Sequence, residues 1–187
     1  MKVLKTLFTL VFVLSITGQA IAQEAPKEEK KEEGIAWYTL EEAQKLAKEN
    51  GKKVLIFGQA SWCPYCRQME REVYPQPEVV EIINKYFYTV MIDTESQEKL
   101  KFNEDVFTEQ EFAAALRLYS LPTHYFVTSD GQVIAGQPGA LPDDIFERLL
   151  AFVGSDSYTD TKFEDYIYKG TKLPLEATEG GKSSSNQ

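Results

Sequence analysis

Two cysteines, Cys63 and Cys66, are the only cysteines among 187 residues, and they stand three positions apart in the stretch ASWCPYCR. Residues at positions i and i+3 share one face of a helix, where two sulfurs are close enough to form a disulfide. The ring that such a bond closes is very short, so the bond constrains the unfolded chain little and stabilises the fold little. The spacing therefore favours a redox-active disulfide that opens and closes, with an inert structural disulfide as the alternative.

A helix that begins at the motif gives the two sulfurs different roles. Pro64 suits the first helical position, where its fixed φ and missing amide cost nothing. Unpaired amides and the helix dipole favour a thiolate at this end, so we expect Cys63 to have the lower pKa, to be the more exposed sulfur and to attack the substrate disulfide. Cys66, one turn further in, would resolve the mixed disulfide. Trp62 and Tyr65, with Pro64, would form a largely apolar docking rim.

The residue types give little support to a metal site. A structural zinc needs four protein ligands, and two cysteines with one histidine fall short, so we predict neither a metal site nor a bound cofactor. Two thiolates suit Cu(I), and His124 lies two residues past Pro122, so copper delivery is kept as an alternative. His124 by itself is better explained as a strand histidine with a satisfied hydrogen bond.

The N-terminus has the pattern of a secretory signal peptide. Lys2 and Lys5 precede a short uncharged apolar run, which small residues ending in AIA follow. The run is shorter than the roughly 20 apolar residues of a membrane-spanning helix, although an uncleaved anchor is an alternative. We therefore expect cleavage near Ala22 and Gln23 and a soluble protein in the periplasm or another compartment outside the cytoplasm.

The charge balance argues against nucleic acid as a partner. Two of the 20 Lys and Arg residues lie within residues 1–22, so the remaining 18 face 29 Asp and Glu residues, a net charge of −11. Binding to phosphates needs clustered Lys and Arg side chains. The excess of acidic residues instead favours solubility, and we expect a monomer.

Composition divides the chain into a signal peptide, a disordered linker, one domain, an appendage and a flexible tail, covering residues 1–22, 23–34, 35–154, 155–170 and 171–187. The linker, QEAPKEEKKEEG, has no large apolar side chain to bury. The third part is long enough for one domain with one core. In the appendage, Tyr158, Phe163, Tyr166 and Tyr168 are expected to pack on the domain, with a partner site as the alternative.

Hydrophobic periodicity and capping signals predict alternating helices and strands around the cysteines. Thr39 with Glu42, and Thr108 with Glu111, have the spacing of capping boxes that begin helices. The run 53–57, which is apolar from Val54 onwards, is typical of a strand buried on both faces. The predicted helices cover residues 40–50, 64–74, 78–85, 109–119 and 142–154, the strands 53–57, 88–92, 125–127 and 132–135, and a hairpin lies within 99–107.

This order of elements predicts an α/β protein whose mixed sheet is covered on both faces. Met69 and Val73 follow Cys66 by one and two helical turns and are expected to face the core. Trp37 is expected to pack at the edge of the sheet. Asp93 is expected to cap the end of a strand, with a catalytic role as the alternative.

The strand, the WCPYC turn into a helix and the distant LPT before a strand resemble the thioredoxin superfamily over about residues 35–154. Within it, YPQPEVVEIINKYFYTVMIDTE and YTDTKFEDYI are similar to segments of the exported SoxW-like thioredoxins. The resemblance implies a thioredoxin fold, a central mixed β-sheet with helices on both faces, and a cis peptide at Pro122. It also implies that the Leu121 backbone pairs with the substrate strand beside Cys63, and that Gly139 shapes the same groove.

The chain departs from thioredoxins at two places. Thioredoxins carry a buried acid six residues before the first cysteine, which assists proton transfer to the second, and that position is Phe57 here. Gln59, the nearest polar residue of this strand, cannot act as a base, so Cys66 would transfer its proton to water or to an acid that the sequence does not identify. The dipeptide between the cysteines is Pro-Tyr, which is typical of glutaredoxins, but the export signal disfavours a glutathione-dependent function.

The SoxW-like resemblance implies an exported thiol–disulfide oxidoreductase that reduces the disulfides of other exported proteins and receives electrons from a membrane donor. C-x-x-C chemistry runs in both directions, so a disulfide oxidant or isomerase is one alternative. A non-enzymatic Cu(I)-binding or adaptor protein of the same fold is the other.

Overall fold

The computed structural model describes residues 34–168, which contain a five-stranded sheet, a separate two-stranded hairpin and helices on both faces of the sheet. The predicted signal peptide, nearly all of the predicted linker and the predicted tail lie outside the described residues. In chain order the elements are β1 (Trp37–Tyr38), α1 (Leu40–Asn50), β2 (Lys53–Gln59), α2 (Pro64–Gln68), a π-helical turn (Met69–Val73), α3 (Pro77–Tyr86), β3 (Phe87–Asp93), β4 (Lys99–Phe102), β5 (Asp105–Thr108), α4 (Glu109–Ala115), β6 (Thr123–Val127), β7 (Val133–Pro138), α5 (Asp143–Gly154), a 3₁₀ turn (Ser157–Thr159) and α6 (Phe163–Tyr168).

The sheet has the strand order β1-β3-β2-β6-β7. The first three strands in this order are parallel, while β6 runs antiparallel to β2 and β7 antiparallel to β6. The predicted fold class, an α/β fold with a mixed central sheet between helices, is therefore confirmed. Because β2 is central, the loop at its carboxyl end lies beside the start of β6, and both segments come from the motifs singled out in the sequence.

Alternating side chains of β2 supply two separate apolar cores. Leu55 and Phe57 belong to a core with residues of α3, α5 and the helix that follows the cysteines. Val54 and Ile56 belong to a second core with residues of α1 and α4. All four side chains are at most 1% exposed, as expected for a central strand covered on both faces.

The helix after the cysteines is less regular than predicted. It is α-helical only to Gln68 and continues as one π-helical turn, in which the Tyr74 amide donates to the Met69 carbonyl at 2.9 Å. Met69 and Val73 are buried, as predicted. The wider turn also directs Tyr74, only 5% exposed, into the same core, and π-helical turns of this kind often occur at functional sites.

The predicted helix 109–119 is shorter in the structure and ends at Ala115. Arg117 has a φ of +57°, a left-handed conformation that an α-helix cannot accommodate. Tyr119 lies beyond this break and is 83% exposed. The prediction was wrong here because no Gly or Pro marks the break.

The other small predictions about the periphery are mostly confirmed. The hairpin forms between β4 and β5, with Asn103 in a left-handed conformation at its turn. Trp37 lies in edge strand β1, where it packs against Tyr74 and Phe57. Asp93 ends β3, and its Oδ1 accepts the Glu95 amide at 2.9 Å, which is the predicted capping contact.

The aromatic residues after α5 form a cluster on Phe152. The rings of Tyr158, Phe163 and Tyr166 lie 6.5, 5.3 and 5.1 Å from its ring centroid. Tyr168, the last residue of α6, was expected to pack with them but is 87% exposed. Within residues 34–168, no helix combines the length and apolarity needed to cross a bilayer.

Helix α1 offers a test of the capping box. Thr39 Oγ1 accepts the Glu42 amide, and Glu42 Oε2 accepts the Thr39 amide at 3.1 Å. Thr39 is exposed, so Thr39→Ala removes the cap without opening a cavity. We expect a loss of about 1 kcal/mol in the free energy of unfolding, measured by urea denaturation, and little loss in Thr39→Ser. Equal losses in the two variants would contradict the role of the hydroxyl.

Candidate functional site

Cys63 and Cys66 form a disulfide at the carboxyl end of β2, with a Cα–Cα distance of 5.3 Å. After Gln59, a turn closed by the Cys63 amide donating to the Ala60 carbonyl at 3.0 Å leads into α2. Pro64 is the first residue of that helix, as predicted. Among the described residues there is no further cysteine, and so the bond is the redox-capable group of this part of the chain.

Cys63 is the N-cap of α2, and its sulfur takes the place of a capping oxygen. The Cys66 amide donates to Cys63 Sγ at 3.1 Å. In the reduced protein the same contact, together with the other unpaired amides of the first turn, would stabilise a thiolate on Cys63 rather than on Cys66. The local geometry therefore agrees with Cys63 as the attacking sulfur.

Cys63 was expected to be the more exposed of the two sulfurs, but in the disulfide form both cysteines are almost completely buried. Cys63 is 1% exposed and Cys66 is fully buried, and both belong to the core with Phe57 and Met69. The reason is that the Cys63 sulfur turns towards the Cys66 amide and sulfur, which places it over the helix start instead of outside it. A partner that reaches this disulfide must therefore displace part of its surroundings.

The exposed surface of the motif includes the three residues predicted as a docking rim, Trp62, Pro64 and Tyr65. Trp62 and Tyr65 are 62% and 60% exposed. The Trp62 indole is held in place, since its Nε1 donates to Glu95 Oε1 at 3.0 Å. The loop before the helix is also fixed by Arg67, whose guanidinium donates to the Ser61 carbonyl at 2.7 Å. The rim is thus a positioned surface, with Trp62 anchored to the loop after β3.

The Leu121–Pro122 peptide is cis, as the resemblance implied. Strand β6 starts one residue later, and its Thr123 pairs with Gly58 of β2, so Pro122 lies at the end of the sheet from which the cysteine loop leaves. Pro122 is buried and Leu121 packs against the core that contains both cysteines. The structure therefore brings the two distant motifs to the same end of two adjacent strands.

Gly139 lies next to this proline. Its amide donates to the Pro122 carbonyl at 2.8 Å, and its φ is +87°, a conformation that strongly favours glycine. No atom lies within 4 Å of the place where a Cβ would be, so backbone conformation and not space selects glycine. Its predicted position at the groove agrees with this contact.

A buried pair of polar side chains lies on the sheet face that carries the disulfide. His124 pairs with Phe57 across β6 and β2, and the two rings stack with centroids 5.3 Å apart. His124 Nε2 forms a hydrogen bond of 2.8 Å with the Tyr74 hydroxyl, while His124 Nδ1 is buried without a partner. The predicted strand histidine is thus confirmed, but only one of its two nitrogens is satisfied.

Burial determines how this pair titrates. His124 is fully buried and burial lowers its pKa from 6.5 to about 3, so the imidazole is neutral at physiological pH. Burial also raises the pKa of Tyr74 well above its ordinary value, with a smaller contribution from the Glu70 carboxylate. None of the buried residues in the described range is an Asp or Glu. No buried carboxyl group in the described range therefore substitutes for the acid that thioredoxins carry at the position of Phe57. The hydrogen bond between Tyr74 and His124 was not indicated by the sequence.

This arrangement provides no set of ligands for Cu(I) in the described part of the chain. His124 directs one nitrogen to Tyr74 and is enclosed by the aromatic rings of Phe57 and Phe146. Within residues 34–168, no group of three or more His, Cys, Asp or Glu side chains is arranged to hold a metal ion.

Comparison with known proteins agrees with this geometry. The model of a family described as a thioredoxin-like domain matches residues 40–154. Thioredoxin H5 of Arabidopsis thaliana is 32% identical over 125 residues, which make up 65% of this chain and 92% of that protein. The residues matched by the family model include both cysteines and Pro122.

Two solved structures are similar in fold. A thioredoxin-fold protein from Helicobacter pylori has a TM-score of 0.60 at 22% identity, over 75% of this chain and 89% of that one. A thioredoxin from Thermus thermophilus has a TM-score of 0.54 at 27% identity, over 64% of this chain and 87% of that one. The first of these likenesses concerns the fold alone, because its sequence identity is low.

Proposed function

The chain belongs to the thioredoxin-like domain family of disulfide oxidoreductases, and we propose that within it the protein is an exported, SoxW-like reductant of disulfides in other exported proteins. The observation that carries the proposal is the Cys63–Cys66 disulfide at a helix start, with the Cys66 amide directed at Cys63 Sγ. A disulfide in so short a ring contributes little as a staple. Such a bond is better explained by a role in thiol–disulfide exchange.

The first step is attack by the Cys63 thiolate of the reduced protein on a substrate disulfide. A bond forms between Cys63 Sγ and one substrate sulfur, the substrate S–S bond breaks, and the other substrate sulfur leaves as a thiolate. The helix-start amides that favour an anion on Cys63 lower the cost of holding the attacking thiolate ready. The product of this step is a mixed disulfide.

The second step is attack by Cys66 on Cys63 Sγ, which restores the intramolecular disulfide and releases the second substrate sulfur. Two electrons have then passed from the cysteine pair to the substrate. Since no Asp or Glu is buried in the described part of the chain, the Cys66 proton passes to the departing substrate thiolate or to water. A dithiol donor at the membrane would reduce the pair again, and the protein would act as a monomer.

The direction of this exchange depends on the reduction potential of the pair, which in proteins of this fold ranges from about −270 to −120 mV. A reductant should lie near the lower end, and a disulfide oxidant near the upper end. Equilibration with glutathione or dithiothreitol buffers, followed by alkylation and mass measurement, gives the value. A potential near the upper end would move the assignment to the oxidant alternative.

Cys66→Ser should accumulate mixed disulfides, because the second sulfur needed for release is gone. We expect covalent adducts with exported proteins after expression in the native host, seen as thiol-sensitive bands in non-reducing electrophoresis. Mass spectrometry of the adducts would name the substrates. The matched control is Cys63→Ser/Cys66→Ser, which should form none. Adducts in equal amounts in both variants would count against Cys63 as the attacking sulfur.

Export is part of the proposal and has its own test. The mature protein isolated from cells should begin near Gln23 and fractionate outside the cytoplasm, because residues 1–22 have the pattern of a signal peptide. A full-length chain that begins at Met1 and fractionates with the cytoplasm would contradict export and leave the redox assignment intact.

A further inference from the structure

A cleft of about 480 Å³ opens beside the cysteine motif, on the side of Tyr65. One wall is a stripe of the helix that begins at the motif. Tyr65, Met69 and Val73 are spaced by four residues, and Gln68 and Glu72 lie between them on the same face. The opposite wall is the segment 140–143, which directly follows Gly139.

The floor and the rim of the cleft differ in chemistry. Met69 and Val73, at 1% and 6% exposed, give an apolar floor to which Leu141 adds its half-buried side chain. Glu72 and Asp143 stand on opposite walls with exposed carboxylates. The residues that line the cleft include no Lys, Arg or His.

Two observations indicate that the negative charge here is held in place. The Gln68 amide donates to Glu72 Oε2 at 2.9 Å, which keeps that carboxylate along the helix. Asp143 begins α5, where a carboxylate is favoured by the helix dipole. Both carboxylates are therefore positioned charges at the mouth of an apolar cleft.

Further acidic groups surround the Asp143 wall. Burial raises the pKa of the Glu147 carboxyl, and the neighbouring carboxylate of Glu78 raises it further. Asp143 and Asp144 act in the same direction, while Arg148 opposes them. Carboxylates thus outnumber cations around this wall, and the local field favours a cationic ligand group.

We propose that this cleft binds the substrate polypeptide next to its disulfide, taking an apolar side chain into the floor and a lysine or arginine between Glu72 and Asp143. The proposal rests on the proposed function, and it adds a substrate class: cysteines flanked by apolar and basic residues. From Tyr65 to Val73 the helix rises about 12 Å. An extended peptide covers that distance in about four residues, so the basic side chain belongs three to four positions from the substrate cysteine.

The test uses short peptides whose single cysteine is joined to 5-thio-2-nitrobenzoate, so that attack by the reduced protein releases a coloured thiolate. Each peptide carries a leucine two positions from the cysteine and a test residue four positions from it. The test residue is lysine, serine or glutamate, and both residues lie either on the N-terminal side of the cysteine or on its C-terminal side. Every rate constant is divided by the same protein's rate on the mixed disulfide of 2-mercaptoethanol and the chromophore. The wild type is compared with Glu72→Gln/Asp143→Asn.

We expect the wild type to prefer the lysine peptide over the glutamate peptide about tenfold in one of the two orientations, and the double variant to prefer it less than about twofold. The matched control, Glu104→Gln/Asp105→Asn, removes the same charge from the exposed β4–β5 hairpin on the other face of the sheet and should keep the full preference.

Equal wild-type rates on the three peptides, an unchanged preference in the double variant, or the same loss in the hairpin control would each overturn the proposal. A second measurement does not depend on redox activity: calorimetric binding of the lysine and glutamate peptides with serine in place of cysteine should show the same preference. If the wild type binds the lysine peptide selectively but does not attack any disulfide, the cleft is supported and the proposed function fails. If the wild type attacks the reference disulfide without preferring any peptide, the proposal about the cleft is refuted and the proposed function stands.

Discussion

A Cys63→Ser variant should lose insulin reduction by more than about a thousandfold, to the rate of dithiothreitol alone. The reaction requires a sulfur anion that can form a bond with the substrate sulfur, and a serine hydroxyl is neither ionised nor able to exchange with a disulfide at neutral pH. The measurement is the turbidity of insulin with dithiothreitol as the electron donor. Cys66 is the one cysteine left in this variant, and it lacks the helix-start amide that favours a thiolate on Cys63.

The control for this variant is its fold. The Cys63–Cys66 disulfide joins residues three positions apart and contributes little to stability, so Cys63→Ser should keep the circular dichroism spectrum and nearly the urea midpoint of the reduced wild type. Equal turnover of insulin by the variant and the wild type would refute the redox assignment. Loss of activity together with loss of the fold would be resolved by Cys63→Ala, which removes the buried sulfur and introduces no polar group.

The second large effect is an acid sensitivity that comes from His124. In the unfolded chain its imidazole titrates near 6.5, whereas in the folded protein burial lowers its pKa to about 3. Between these values the unfolded chain binds a proton that the folded protein does not, so the free energy of unfolding falls as pH decreases from about 6.5 towards 3. At pH 4.5 this contribution amounts to about 3 kcal/mol relative to pH 7.

Two substitutions separate this effect from general acid denaturation. His124→Gln can keep the bond to the Tyr74 hydroxyl but does not titrate, so its stability should fall by about 3 kcal/mol less than that of the wild type between pH 7 and 4.5. Tyr74→Phe removes the hydroxyl and leaves His124 buried, and it should stay as acid-sensitive as the wild type. Urea denaturation at several pH values measures both.

The groups around His124 make the interpretation of that experiment direct. From β2 and α5 it is faced by the rings of Phe57 and Phe146, and from the π-helical turn by the Tyr74 hydroxyl. None of these groups changes charge between pH 7 and 4.5, because burial raises the pKa of Tyr74 still further above that range. Parallel pH profiles of the wild type and His124→Gln would show that His124 is accessible to protons in the folded state.

The motifs could be predicted from the sequence because their physics is local. The spacing of Cys63 and Cys66, the proline at the first helical position and the capping box at Thr39 depend on neighbours within one helical turn. The apolar run 54–57 within β2 likewise indicates the central place of this strand in the sheet. These features required no knowledge of which distant segments meet.

The remaining features depend on distant packing. The burial of Cys63 follows from the direction of its sulfur, which no pattern of residue types reveals. Tyr74 could have been noted as a helical position eight residues after Cys66, but its bond with His124 needs both the π-helical turn and the β2–β6 register. The cleft between Glu72 and Asp143 joins segments about seventy residues apart in the chain, so its charge is invisible until the fold is known.

The segment after α5 bears on where the polypeptide can be cut. The Lys53 ammonium, at the start of β2, donates to the Gly154 carbonyl at 3.1 Å and pairs with Asp156 at 3.0 Å. Phe152 is covered by Tyr158, Phe163 and Tyr166. A truncation at residue 154 would remove the Asp156 carboxylate that pairs with the nearly buried Lys53. It would also expose the ring of Phe152 to solvent. We therefore expect a stable fragment to extend at least to Tyr166, beyond residue 154, where the match to the family model ends.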